Sequence, residues 1–294
     1  MNDMNGAGGP EDASFQAWTS SYGYNLPEET SAKSPEDAGI GLKQRYQPPK
    51  SDAKGIAYAC GVIGLWALLY WHAMFHITLP FSLQGEHTQQ PTHILHILAV
   101  FFSLEFMYTG LFITTHDAMH GTIAIRHRRI NDFLGALAIS LYAWFDYGML
   151  HFKHWEHHNH TGKPHVDPDF HRGNPSLLPW FGWFMWEYIS LWQFTKIATW
   201  TAVMQYLGAP MENILVFMTA APLLSAFRLF LFGTYLPHRP EPGSDESTVV
   251  MHWPKSRTSQ ASNLQSFLTC YHFDLHWEHH RWPYAPWWEL PKCR

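Results

Sequence analysis

The stretch YHFDLHWEHH, Tyr271 to His280, holds four histidines in ten residues, set around Asp274 and Glu278. Two earlier runs share its character. HDAMHG contributes His116 and His120, and HFKHWEHHNHTG contributes His154, His157 and His158 with His151 and His160 at its edges. A single His238 follows in FGTYLPHRP. Residues four apart lie about 40° apart around a helix, and residues three apart about 60°. The spacing therefore predicts helices on which His116 and His120 share a face, as do His154, His157 and His158. It also predicts that His272, His276 and His280 stack over two turns, with His279 beside them.

The segments between these runs are apolar. Gly55–Phe81 and Thr92–Thr115 each reach the roughly 20 residues that cross a bilayer. Phe133–Leu150 is shorter and is expected to be re-entrant or to lie along the interface. Leu177–Leu207 and Met211–Phe232 are two more long stretches. The predicted fold is an all-α integral membrane protein of about four transmembrane helices plus that re-entrant or interfacial segment. Every histidine run then returns to one membrane face. The far-side turns Ser82–Pro91 and Gly208–Asn213 contain no lysine or arginine, whereas Arg126, Arg128, Arg129, Arg239, Lys255 and Arg257 flank the histidines. By the positive-inside rule that face is cytoplasmic or its equivalent.

Residues 1–54 are polar, acidic and aperiodic, and are expected to form a disordered tail ahead of a membrane domain at 55–294. They carry neither the pattern of a secretory signal nor a recognisable plastid-targeting segment. The mean hydropathy of −0.21 reflects this tail and the histidine runs. A net charge of −5 without a basic stripe excludes a nucleic-acid binder. Cys60, Cys270 and Cys293 form no C-x-x-C pair, which argues against a disulfide framework or a zinc ribbon. The 15 tryptophans suit a membrane interface or a polyene-lined environment. Trp180, Trp183, Trp186, Trp287 and Trp288 are read mainly as an interfacial belt.

Buried imidazoles need partners for both ring nitrogens, and a metal supplies one for each ring. The lone His72, His76, His87, His93, His96, His127 and His252 are read as core or interface residues; the clusters are read as ligands. Nine or ten of them exceed what one tetrahedral ion uses, so two ions are expected. Imidazole suits iron, copper and zinc alike. Asp117, Glu156, Asp274 and Glu278 lie beside candidate ligands and are expected to orient imidazole N–H groups. Glu105 and Glu187 fall within predicted spans, where structural hydrogen bonds are the expected role.

These runs resemble the three histidine boxes of the membrane-bound fatty-acid desaturase and hydroxylase superfamily, whose members carry a two-iron centre. HDAMHG, HVDPDFHRG at His165–Gly173, FGTYLPHRP and YHFDLHWEHHRWPYAPWWELP are more specific, and resemble the β-carotene 4-ketolase (β-carotene oxygenase) family. The C-terminal wording is most similar to algal plastid members, with bacterial members sharing its outline. The likeness runs from about Gly55 to the end.

The resemblance implies iron ligation by His116, His120, His154, His157, His158, His276, His279 and His280, with His238 and His272 completing the set. It implies a plastid membrane if the source is algal, and a bacterial inner membrane otherwise. The implied chemistry is O₂-dependent double hydroxylation of the ring C4 methylene of β-carotene, and of hydroxylated carotenoids such as zeaxanthin. Dehydration then gives a 4-keto group, as in canthaxanthin and astaxanthin. No G-x-G-x-x-G fingerprint is present, so electrons are expected from a partner such as ferredoxin. A fatty-acyl desaturase or carotenoid 3-hydroxylase would use the same iron site. A histidine-rich metal transporter would also combine spans with imidazoles, but places them midway along spans rather than at their ends.

Overall fold

The structure, a computed structural model, describes residues 46–80, 91–240 and 256–294. The tail up to residue 45, most of the Ser82–Pro91 turn with His87, and His252 and Lys255 lie outside the described residues. All regular elements among the described residues are helical. They are α1 (Ala53–Phe75), α2 (Pro91–Met119), α3 (Arg128–Ala143), α4 (Tyr147–His160), α5 (Leu177–Tyr188), α6 (Leu191–Tyr206), α7 (Met211–His238), α8 (Asn263–Cys270) and α9 (His276–Arg281). The fold begins before residue 55: the Tyr46 ring packs 5.7 Å from that of Tyr284.

Three helices, α1, α2 and α7, are long and apolar enough to cross a membrane, or four if the bent pair α3–α4 counts as one span. α2 is the central one, with 61% of its apolar window buried against 22% for α1. The outward side of α1 shows Leu65, Leu68 and Trp71, a surface suited to lipid. Its inward side stacks Trp66 on Tyr70 and sets Trp66 against Tyr108 of α2. Close approach of α2 and α3 requires Gly135, where a Cβ would stand 2.5 Å from that of Ala118. Thr115 Oγ1 donates to the Gly135 carbonyl at 3.0 Å across the same contact.

The expected re-entrant segment is a break of 101° between α3 and α4. Trp144 adopts the left-handed conformation (φ 60°) to end α3, and Asp146 caps α4 by accepting from the Met149 N–H at 2.7 Å. The turn sends α4 away from the direction of α3 and towards the end of α2.

The expected single span Leu177–Leu207 is instead two helices, α5 and α6, and neither reaches spanning length. Ile189 and Ser190 are extended, and Ser190 Oγ caps α6 by accepting from the Gln193 N–H. Ser190-x-x-Gln193 has the form of a capping box, a start signal hidden inside an apolar run.

α7 changes register twice, with π-helical turns at Ile214–Ala220 and Leu231–Tyr235. At its middle Arg228 donates to both oxygens of Glu105 on α2, at 2.8 and 2.7 Å, and Glu105 is fully buried. Glu105 thus has the structural role its place in a span suggested. Glu187, on a helix too short to span, is also engaged structurally, bonded to Lys153 at 2.7 Å and to Arg172. Removing one partner of a buried ion pair costs about 3–5 kcal/mol, and replacing both by apolar groups costs far less. Arg228→Met should therefore lose about that much stability, and Glu105→Leu with Arg228→Met should regain most of it, as measured by unfolding in mixed micelles.

Candidate metal centre

Four elements deliver imidazoles to one place. α2 ends at Met119, and the His120 N–H still bonds to the His116 carbonyl at 3.2 Å, so the two rings keep helical spacing past the helix end. α4 supplies His154, His157 and His158, α7 ends on His238, and α9 carries His276, His279 and His280. Gly121 (φ 72°) turns the chain beyond α2, and the Asn131 side chain fixes that turn by donating to the Ala118 carbonyl at 2.7 Å.

The rings sort into two groups of four. His116, His120, His154 and His279 form one, and His157, His238, His276 and His280 the other; within each, the candidate ligand atoms lie within 4.8 Å of one another. In the first group His116 and His279 bring their Nε2 atoms to 3.1 Å, and His120 and His154 theirs to 2.7 Å. In the second, the Nε2 atoms of His276 and His280 are 3.1 Å apart, and the His157 and His238 ring centres 4.8 Å. His158 stands between the groups. Its Nε2 is 3.2 Å from that of His154 and 2.9 Å from that of His279, and its ring stacks on His280 at 4.3 Å.

His272 is apart from both groups. Helical stacking with His276 fails because the backbone reverses between α8 and α9, with Tyr271 and His272 both left-handed (φ 51° and 63°). Its Nδ1 instead meets Ser266 Oγ at 2.9 Å and its ring lies over Trp287.

The donor set fits metal cations. Burial, reinforced by neighbouring imidazoles, pushes His120, His276, His279 and His280 well below the ordinary imidazole range. Those four rings favour the neutral form, which keeps an in-plane lone pair, whereas, against the lowering effect of its burial, Asp167 and Asp169 raise His157 to about 9. Five Nε2 atoms converge in and beside the first group, close enough together to share one cation. In the second group His157 Nε2 is buried and without a hydrogen-bond partner. Its Nδ1 is held by Asp167 Oδ1 at 2.9 Å, with Asp169 Oδ2 at 3.8 Å. A ring fixed by a carboxylate on one nitrogen and free on the other has the form of a metal ligand.

Asp167 and Asp169 were not among the acids expected to support ligands. They belong to HVDPDFHRG, whose two aspartates two residues apart were the available signal. Asp167 is locked by the N–H groups of Gly162 and Asp169 at 2.7 and 2.9 Å, and Tyr188 donates to Asp169 at 2.5 Å. Of the four acids named from sequence, Asp117 alone lies near a grouped ring, 3.5 Å from His116 Nδ1, and it accepts the Trp287 N–H at 3.1 Å. Glu156 faces His160, Asp274 accepts from Ser266, and Glu278 accepts from Thr258. The tryptophans divide: Trp186 is largely exposed, while Trp180 is buried and donates to the Asp169 carbonyl at 2.8 Å.

A mostly apolar cavity meets both groups. Phe112, Phe145, Leu150, Phe184 and Leu229 line it, and His116, His154, His157 and His276 reach its wall.

The fatty acid desaturase family matches residues 91–212 and 188–294. The chain is 64% identical over 284 residues to a β-carotene 4-ketolase of Protosiphon botryoides, covering 95% of this chain and 72% of that one. The chain belongs to the β-carotene ketolases of the fatty acid desaturase family. It is also 61% identical over 291 residues to a β-carotene ketolase of Haematococcus lacustris, covering 95% and 89% of the two chains. With a zeaxanthin 4-ketolase of Chlamydomonas reinhardtii it shares 64% over 271 residues, covering 92% of this chain and 59% of that one. A match over 95% of the chain takes in most of the polar tail, past the Gly55 boundary of the likeness read from motifs. No solved structure matches.

Loss of a partner that orients a metal-bound histidine typically costs about 10–100-fold in metal affinity. Asp167→Asn should lower metal affinity by that factor, whereas His272→Ala should leave metal content unchanged. Metal analysis of the purified proteins across a chelator series checks both.

Proposed function

We propose that this chain is a membrane di-iron oxygenase that converts the ring C4 methylene of β-carotene, and of hydroxylated carotenoids such as zeaxanthin, to a ketone. The cavity carries the reading: an apolar channel whose wall includes imidazoles of both groups suits an apolar ring end brought against a metal pair. His116, His120, His154 and His279 would hold one iron and His157, His238, His276 and His280 the other, with His158 placed to serve between them. Bound there, the irons supply O₂ activation for hydroxylation of an unactivated C–H bond.

The remaining work falls to the protein. Phe112, Phe145, Phe184 and Leu229 exclude water and fit a cyclic, methylated ring. Asp167 fixes the His157 ring through Nδ1, and Asp117 lies beside Nδ1 of His116. Each round consumes one O₂, two electrons and two protons, and releases one water while C–H becomes C–OH. A second round on the same carbon gives a geminal diol, which loses water to leave C=O. The electrons come from a separate donor protein of the ferredoxin type, which suits a plastid membrane with the histidine end facing the compartment that holds the donor.

The superfamily rivals differ in substrate, and the similarity to ketolases over most of the chain weighs against a fatty-acyl desaturase or a carotenoid 3-hydroxylase. Against a metal transporter, the imidazoles gather at helix ends beside an apolar cavity. Membranes containing the protein, supplied with β-carotene, O₂ and a reduced ferredoxin, should form 4-keto products identifiable by chromatography and mass. His279→Ala should abolish them while the protein remains in the membrane; ketone formation at the unchanged rate would contradict the assigned ligand.

A further inference from the structure

A ketolase must oxidise one carbon twice, so the once-hydroxylated ring has to stay in place for the second round. An apolar cavity works against that. Burying a new hydroxyl without a hydrogen-bond partner is unfavourable, and the alcohol is better solvated outside than the hydrocarbon it came from. The wall therefore needs an uncommitted polar group near the reacting end.

Most polar side chains of the wall are already engaged. Tyr142 donates to the Pro222 carbonyl at 2.9 Å, and Tyr188 donates to Asp169 at 2.5 Å. Asp169 accepts that bond and faces His157. Thr234 differs. It is buried and lines the cavity, and among the described residues its hydroxyl has no hydrogen-bond partner.

Several helical threonines behave differently. Thr109, Thr115, Thr195 and Thr199, all in α-helical segments, each donate to the carbonyl four residues back. Thr234 sits in the π-turn Leu231–Tyr235, where the backbone ladder runs five residues back, and it makes no such bond. Such turns recur at functional sites.

The same turn is held beside the imidazoles. A Cβ on Gly233 would stand 2.1 Å from Phe273 Cε1, so only glycine lets the turn lie against that ring. The Phe273 ring in turn packs 4.8 Å from His116 and 5.0 Å from His276, one from each group.

We propose that the Thr234 hydroxyl hydrogen-bonds the C4 hydroxyl left by the first oxidation, and retains the once-oxidised ring until the second. This rests on the ketolase reading above. A threonine hydroxyl both donates and accepts, so it can pair with the alcohol and leaves the parent hydrocarbon unaffected. Thr234 is thus a positioning residue for the second round only.

Thr234→Val keeps the shape and removes the hydrogen bond; Thr234→Ser keeps the bond. With β-carotene as substrate, Thr234→Val should raise the ratio of released 4-hydroxy to 4-keto product by roughly tenfold, the loss expected for one hydrogen bond. Thr234→Ser should hold the wild-type ratio. An unchanged ratio in Thr234→Val overturns the proposal. If Thr234→Val makes no product, titration of β-carotene and of 4-hydroxy-β-carotene into the purified proteins decides, read by visible absorbance. Weakened binding of the alcohol alone upholds the proposal, and equal loss or no loss for both ligands overturns it. Failure of the unmutated protein to form any ketone would instead remove the reading on which the proposal rests.

Discussion

Lone-pair convergence is the constraint on which this structure turns. Eight imidazoles in two groups, with His158 between them, aim ring nitrogens at one another inside a buried volume. Each neutral imidazole offers one acceptor nitrogen, and with the proton on Nδ1 the converging Nε2 atoms all point lone pairs into the same volume. Cations satisfy it, and the helices must then hold the rings at fixed distances whatever else they do. The ends of α2, α4 and α7 and the short α9 meet at one level for this reason.

The rest of the architecture supplies rigidity to that meeting point. α2 is buried along most of its length and serves as the post on which α1, α3 and α7 lean. Its ties are polar at a few places: Glu105 to Arg228, Thr109 to Ser225 at 2.9 Å, and Thr115 to the Gly135 carbonyl. The bend between α3 and α4 is what lets a sequence-adjacent segment place three imidazoles beside the end of α2. The loop after α4 then folds back so that Asp167 grips His157 from behind. Fixed placement of the imidazoles and an apolar cavity beside them are consequences of the same packing.

The division of the histidines shows how helix geometry and tertiary placement share the outcome. His154, His157 and His158 do lie on one face of α4, as their spacing implies. Yet His154 enters one group, His157 the other, and His158 the boundary, because rings about 40° to 100° apart around a helix axis point to different places when ligands arrive from several elements. His272 has the right spacing from His276 but no helix joins them, since two left-handed residues reverse the chain. Spacing rules apply only inside a continuous helix, and the sequence does not announce where one stops. The split of Leu177–Leu207 at Ser190 has the same origin: hydropathy continued through the break, and the capping side chain alone marked it.

From its residues alone the chain determined an all-helical, apolar framework, the three histidine runs, and a set of imidazoles suited to metal, because periodicity and ligand chemistry are local properties. Its motifs also resembled the family to which it proved to belong. Tertiary structure decided what local rules cannot reach: which rings share a group, which acid stands behind His157, and which side chains wall the cavity. Those are relations between segments far apart in the chain, fixed by packing and by chain reversals that neither spacing nor hydropathy encodes.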